Sequence, residues 1–162
     1  MTPALQIRIA SKEGDAHDIA AMSRELIEHG LPWTWQPQRV ARAIASAETN
    51  VAVVREEEGA GALVAFGIME YLEDDAHLVL FAVRPQSQRR GVGTELLRWL
   101  ETSALVAGAR RIRLEARRDN GAARSFYNEH GYHELLIKPR MYSGAVDGIR
   151  LEKWLRTLGG GE

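Results

Sequence analysis

The sequence predicts a single α+β domain with a mixed sheet, and three observations carry that expectation. Short runs read as strands, either alternating or continuously apolar. Other stretches place apolar residues at helical spacing between capping residues and glycines. No repeat, low-complexity block or internal linker divides the chain, so residues 1–156 are expected to form one domain, with 157–162 a flexible tail.

Taken in order, Gln6–Ala10 alternates, with Leu5, Ile7 and Ile9 on one face of a strand. Asp15 is placed to cap a helix through Ile19, Met22, Leu26 and Ile27, which stops near Gly30. Pro32-Trp33-Thr34-Trp35 interrupts, and Pro37 suits the first turn of a second helix through Val40 and Ile44. Val51–Val54 and Leu63–Leu72 read as strands joined by a turn over Glu56–Gly61. His77–Val83 is nearly all apolar and is expected to be buried on both faces. Gly91–Gly108 carries Val92, Leu96, Leu100 and Ala104 at intervals of four, an amphipathic helix. Ile112–Ala116 is a further strand. Asn120 then opens a short helix with Ala123, Phe126 and Tyr127 inward, ending at Gly131. Tyr132–Ile137 and Ile149–Leu155 close the chain as strands, with an irregular link over Lys138–Gly148.

Composition excludes several classes of function. A 45% hydrophobic and 27% charged chain of 162 residues is expected to be globular. No apolar run approaches the roughly 18 residues of a membrane span, and MTPALQIRIA lacks a basic segment followed by an apolar one. No membrane association is expected, and the expected location is cytoplasmic. The absence of cysteine removes disulfides, thiolate metal sites and a cysteine acyl-enzyme. The five histidines lack metal-ligand spacing, so no metal is expected. A net charge of -1 argues against a nucleic-acid partner, although the second half is rich in arginine and suits a small polyanion.

The stretch QRRGVGTELL puts Gly91 and Gly93 at a helix start beside Arg89 and Arg90. Helix N-termini leave amides unpaired and carry partial positive charge. Two positions without side chains would let an anion approach those amides, although a plain glycine turn with solvated arginines reads equally well. Wider spacing favours the first reading. Val83-x-Pro85-x-x-Gln88-x-x-Gly91-x-Gly93 resembles the acyl-CoA motif of the GCN5-related N-acetyltransferase (GNAT) superfamily. Asn120-x-x-Ala123-x-x-Phe126-Tyr127-x-x-x-Gly131-Tyr132 is similar to its second motif, in the right order, over residues 76–133.

The resemblance implies a mixed, mostly antiparallel seven-stranded sheet with helices on both faces and splayed fourth and fifth strands. Acetyl-CoA, the acyl donor, would lie in that opening. Phe81, Ala82 and Val83 would offer backbone groups to its pantetheine arm, with an amide near Phe81 facing the thioester oxygen. Gln88, Arg89, Arg90, Gly91, Val92, Gly93 and Thr94 would hold its diphosphate, and Asn120 would bond the pantetheine or cap its own helix. Tyr127 would protonate the departing thiolate. Leu114-Glu115-Ala116-Arg117 is similar to a stretch of the bacterial ribosomal-protein alanine N-acetyltransferases, whose glutamate serves as base directly or through water. Glu115 takes that role by resemblance; an ion pair with Arg113 or Arg117 is its structural alternative, and Glu70 is the rival base.

Pro32-Trp33 and Arg140-x-Tyr142 with Asp147 also resemble that branch, whereas Met141 and the extra Trp35 depart from it. Trp33 and Trp35 either wall an acceptor pocket or staple the first two helices. The expected reaction is direct transfer of acetyl to a primary amine in a ternary complex, on a peptide or protein N-terminus. The alternative acceptor is a small amine: a polyamine, an amino acid or an aminoglycoside. For a polycation, Glu70, Glu73, Asp74 and Asp75 would gather at the mouth, or else form a solvated turn. A non-catalytic acyl-CoA module ranks last because Tyr127 and nearby carboxylates are present. The resemblance also implies a homodimer, as is common in relatives, with the final strand as its mediator.

Overall fold

The computed structural model describes residues 6–56, 61–88 and 90–155. The expectations placed on Leu5, on most of the Glu56–Gly61 turn, on Arg89 and on the 157–162 tail lie outside them. In chain order the elements are β1 (Ile7–Ile9), α1 (Lys12–Met22), a π-turn (Ser23–Ile27), α2 (Pro37–Ala45), β2 (Thr49–Arg55), β3 (Leu63–Leu72) and β4 (Asp75–Val83). Then come α3 (Val92–Val106), β5 (Arg111–Arg117), α4 (Gly121–Glu129), β6 (His133–Tyr142) and β7 (Val146–Trp154). The strands form one seven-stranded sheet, ordered β1-β2-β3-β4-β5-β7-β6. Among the described residues only β4 and β5 run parallel, and α3 supplies the crossover that a parallel pair needs.

Each sheet face has its own apolar layer. Val92, Leu96, Leu97, Leu100 and Ala104 of α3 and Tyr127 of α4 pack with Ala52, Val54, Leu114 and Ala116 on one face. Ala16, Ile19 and Ala20 of α1 and Val40 of α2 pack with Val51, Val53, Phe66 and Ile68 on the other. Burying a single leucine or isoleucine side chain contributes roughly 1.5–3 kcal/mol, so these interlocked stripes fix both helical layers.

Several expectations are corrected. Ser11, not Asp15, caps α1: its hydroxyl accepts from the Gly14 amide at 3.3 Å. Asp15 is instead wholly buried, accepting from Arg8 at 2.8 Å, the Ser11 amide at 2.7 Å and Arg55 Nε at 3.0 Å. Burial alone would raise its pKa, but those donors outweigh burial and hold it at about 2. β4 packs into both apolar layers, with Ala76 and Leu78 in one and Leu80 and Ala82 in the other, while buried and half-buried residues alternate along it. The supposed irregular link belongs to a hairpin, with β6 running on to Tyr142 and β7 starting at Val146. Its charged and proline residues hid the strand period, because they lie on an exposed edge where apolar alternation is not required.

Candidate active site

The site originates in one extra residue. Met69 pairs with Leu78 and Ile68 with Leu80, so Val79 is a β-bulge on β4. A bulge shifts side-chain parity. Ahead of it Ala76 and Leu78 face the α3/α4 layer; beyond it Phe81 and Val83 do, while Leu80 and Ala82 turn to the α1/α2 layer. Pairing with β5 stops at the same place. Asp75–Leu78 pair with Arg111–Leu114, and no later β4 residue has a β5 partner among the described residues. Glu115, Ala116 and Arg117 instead continue along β7, opposite Arg150, Ile149 and Gly148. The fourth and fifth strands therefore splay, as expected, and Phe81, Ala82 and Val83 have no strand partner on the β5 side among the described residues.

On the α3/α4 side of this opening stands Tyr127. Its ring is 7% exposed and sits edge-on to Phe81, Phe126 and Tyr132, at centroid distances of 6.3, 5.4 and 5.7 Å. Among the described residues its hydroxyl has no hydrogen-bond partner. Burial, with the neighbouring Tyr142 phenol, pushes its pKa above the usual tyrosine range, so the phenol stays protonated.

The α3 start lies at the end of the same strand. Gly91 caps the helix with φ at 84°, a left-handed conformation in which a side chain is strained. A Cβ there would meet nothing within 4 Å, and Gly91 and Arg90 are exposed. Open space before a row of helix-start amides suits a diphosphate. Gly93 has a different reason for being glycine: a Cβ would lie 3.3 Å from the Phe126 ring and 3.4 Å from Val83 Cγ2, so it permits close packing. The Val92 side chain is buried in the core. Thr94 Oγ1 lies 2.9 Å from His130 Nε2, and Gln88 Nε2 donates to the Val83 carbonyl at 3.0 Å. Asn120 caps α4, accepting from the Ala123 amide at 3.1 Å.

Glu115 alternates with Leu114 and Ala116, so its side chain leaves the α3/α4 face for the opposite one. Its partners are neither Arg113 nor Arg117. His77 Nε2 lies 2.7 Å from Oε1, and Arg150 reaches Oε2 through Nε at 2.9 Å and Nη2 at 2.8 Å. Burial would raise the Glu115 pKa, but His77 and Arg150 overcome it and hold the carboxyl at about 2. Arg113 pairs with Asp75 and Glu152 instead. Arg117 holds Asp119 and the His29 carbonyl, at 3.2 and 2.9 Å. Tyr142 of β6 is pushed up to about 12 by burial and by the Glu115 charge, with Arg117 opposing.

Sequence reasoning missed His77 and Arg150. Arg150 pairs directly with Glu115, whereas His77 pairs with Arg113, two residues before it on the same face. Glu70 stands across from His77 on β3. Glu73 and Asp74 form the β3–β4 turn, and Asp75 begins β4, bonded to Arg111 at 2.9 Å. These three sit at the far end of β4 from Phe81 and do not gather at the opening.

The tryptophans act as staples. Trp35 is core, with the Arg39 guanidinium 3.9 Å from its ring centroid, and Trp33 Nε1 donates to the Ala20 carbonyl at 3.1 Å. Buried Glu28 ties the π-turn to this loop, accepting from Ser23 Oγ at 2.8 Å and from the Thr34 amide at 2.7 Å. The late loop is fastened by Asp147, which accepts from the Arg140 amide at 2.9 Å and from Arg118 at 3.2 Å.

Comparison with known proteins agrees with this architecture. The ribosomal protein bS18-alanine N-acetyltransferase of Escherichia coli strain K12 is 36% identical over 88 residues, 54% of this chain. The match spans only 59% of that relative's length. The crystal structure of the ribosomal-protein-S18-alanine N-acetyltransferase from Escherichia coli superposes with a TM-score of 0.76 at 25% identity, covering 98% of this chain and 97% of that one. The PaiA N-acetyltransferase from Thermoplasma acidophilum, solved in complex with coenzyme A, shares the fold with a TM-score of 0.77 at 17% identity, covering 94% of this chain and 99% of that one. The model of the acetyltransferase (GNAT) family matches residues 19–132, and the chain belongs to that family.

Proposed function

We propose that the protein is an N-acetyltransferase that passes acetyl from acetyl-CoA directly to a primary amine, with a peptide or protein N-terminus as the acceptor. One observation carries the reading: Tyr127 and the His77–Glu115 pair stand on opposite faces of the sheet, on either side of the opening between β4 and β5. Donor and acceptor can then approach from the two faces and meet in the gap. The Gly91–Thr94 amides and Arg90 hold the diphosphate of acetyl-CoA, and the β5-side edge of Phe81–Val83 takes its extended arm. Asn120 shapes the α4 end of the site as a cap.

Proton movements follow from the side chains. An α-ammonium has a pKa near ~8, whereas Glu115 is held at about 2. A carboxyl held that low by His77 and Arg150 is a much weaker base than the amine it would have to deprotonate. Glu115 therefore serves as the charged partner of His77, and the imidazole takes the ammonium proton directly or through water. The amine nitrogen bonds the acetyl carbon, the carbon–sulfur bond breaks, and the Tyr127 hydroxyl protonates the departing thiolate. Similarity to a ribosomal protein bS18-alanine N-acetyltransferase supports a protein acceptor.

The test is an acceptor screen with acetyl-CoA, setting peptides with free α-amines beside polyamines, amino acids and aminoglycosides. Thiol release and mass spectrometry of the product give the readout. Release dependent on a peptide, with acetyl on its α-amine, is the expected result. Turnover of small amines alone would replace the acceptor. Coenzyme binding with no turnover of any amine would replace catalysis by sensing.

A further inference from the structure

We propose that Arg150 is a positioning residue for proton transfer: by taking Oε2 of Glu115 it leaves Oε1 to His77 and sets the proton affinity of the imidazole. The inference rests on the reading of His77 and Glu115 given above, and its geometry is fixed by the β5–β7 register. Glu115 and Arg150 are directly paired residues, so their side chains rise from adjacent strands on one face. The guanidinium donates its Nε–H to Oε2 at 2.9 Å, and Nη2 lies in ion-pair contact with the same oxygen at 2.8 Å. The other oxygen lies 2.7 Å from His77 Nε2. An ionised carboxylate only accepts, so Nε2 carries the hydrogen and Nδ1 is the proton-accepting atom of the neutral ring.

The other charged groups around the pair have their own partners or lie to one side. On β5, Arg113 is matched to Asp75 and Glu152, and Arg117 to Asp119 and the His29 carbonyl. On β7, Glu152 is also matched to Arg111 at 3.2 Å. Glu70 of β3 stands opposite His77. Tyr142 of β6, coupled to the Glu115 charge and to Tyr127 of α4, is neutral near pH 7. Arg150 is thus the arginine in direct contact with the carboxylate that faces His77. Its positive charge offsets part of the attraction Glu115 exerts on a protonated imidazole. Without Arg150, the carboxylate would favour imidazolium, and the ring would be a proton acceptor only at higher pH.

The experiment titrates the His77 ring by NMR in the full chain, assigned through His77→Gln, and measures kcat/KM against pH with the best acceptor. Arg150→Met and Arg150→Gln remove the charge, the second keeping an N–H donor in case the first fails to fold. The His77 midpoint is expected to rise by about one unit in both, a ~tenfold gain in proton affinity, and the acidic limb of kcat/KM should move with it. Arg150→Lys should return both toward wild type. A folded Arg150→Gln or Arg150→Met chain with an unchanged or lowered midpoint would overturn the assignment. A midpoint that rises while the wild type acetylates no amine would leave the Arg150 coupling standing and reject the proposed reaction, so the two failures are separable.

Discussion

Replacing Tyr127 by phenylalanine tests the acid assignment with little structural disturbance. The ring makes its edge-on contacts with Phe81, Phe126 and Tyr132 through carbon, at 6.3, 5.4 and 5.7 Å, and phenylalanine retains all of them. No described residue bonds the hydroxyl, so its removal strands no buried partner. Stability should therefore change by less than about 0.5 kcal/mol, within the range of a benign substitution. Loss of a general acid costs roughly 10²–10⁴ in rate, or about 3–5 kcal/mol of transition-state stabilisation. Stopped-flow thiol release should show that fall in kcat, while calorimetry shows an unchanged Kd for acetyl-CoA and thermal melting an unchanged Tm. Because burial raises the Tyr127 pKa, no basic limb from this group should enter the wild-type profile below pH ~10. Unchanged kcat would refute the acid role. A Tm lowered by several degrees, with kcat falling in proportion to folded protein, would reduce Tyr127 to a packing residue.

Two further substitutions probe the donor site and the scaffold. Gly91→Asp sets a carboxylate against the α3 amides at φ of 84°; acetyl-CoA affinity should fall at least ~tenfold by calorimetry, for a folding cost of about 1–2 kcal/mol, and unchanged affinity would move the diphosphate elsewhere. Asp15→Asn breaks the buried pair with Arg55 and should cost about 3–5 kcal/mol in urea unfolding. Since folding lowers the Asp15 pKa to about 2 from ~3.9, its contribution is present above pH ~4 and fades as pH falls toward 2. The variant should lose that part of the acid sensitivity, and an unaltered pH dependence would contradict the assignment.

The legible features were those encoded locally. Gly91 at the α3 start, Asn120 at the head of α4 and the apolar spacing of Val92, Leu96, Leu100 and Ala104 each depend on a few neighbouring residues. Asp15 misled because an acidic residue near a helix start resembles a cap, while one of its arginine partners, Arg55, is 40 positions away. The continuous apolar run of β4 concealed the Val79 bulge: when parity switches, both faces become apolar in turn, as they would in a strand buried on both sides. The His77–Glu115–Arg150 group was hidden for a stronger reason. Its members lie 38 and 35 positions apart and meet only through the parallel β4–β5 register and the antiparallel β5–β7 register. Neither register can be read from the period of one strand.

The bulge also explains why the acid and the base candidate need not compete for space. With regular pairing, β4 would stay hydrogen-bonded to β5 beyond Leu78, closing the sheet between its two layers. Phe81 would then keep the parity of Val79 and His77 and turn away from Tyr127. Inserting Val79 does two things at once: it ends the β4–β5 ladder and rotates Phe81 into the aromatic cluster that holds the Tyr127 ring. Because His77 precedes the bulge, its parity is unaltered, and it remains on the other face with Glu115. One residue thus opens the sheet and assigns a phenol to one side of the gap and an imidazole–carboxylate pair to the other. In the proposed reaction, proton donation to a thiolate and proton removal from an ammonium would take place on separate faces, where neither group must desolvate the other.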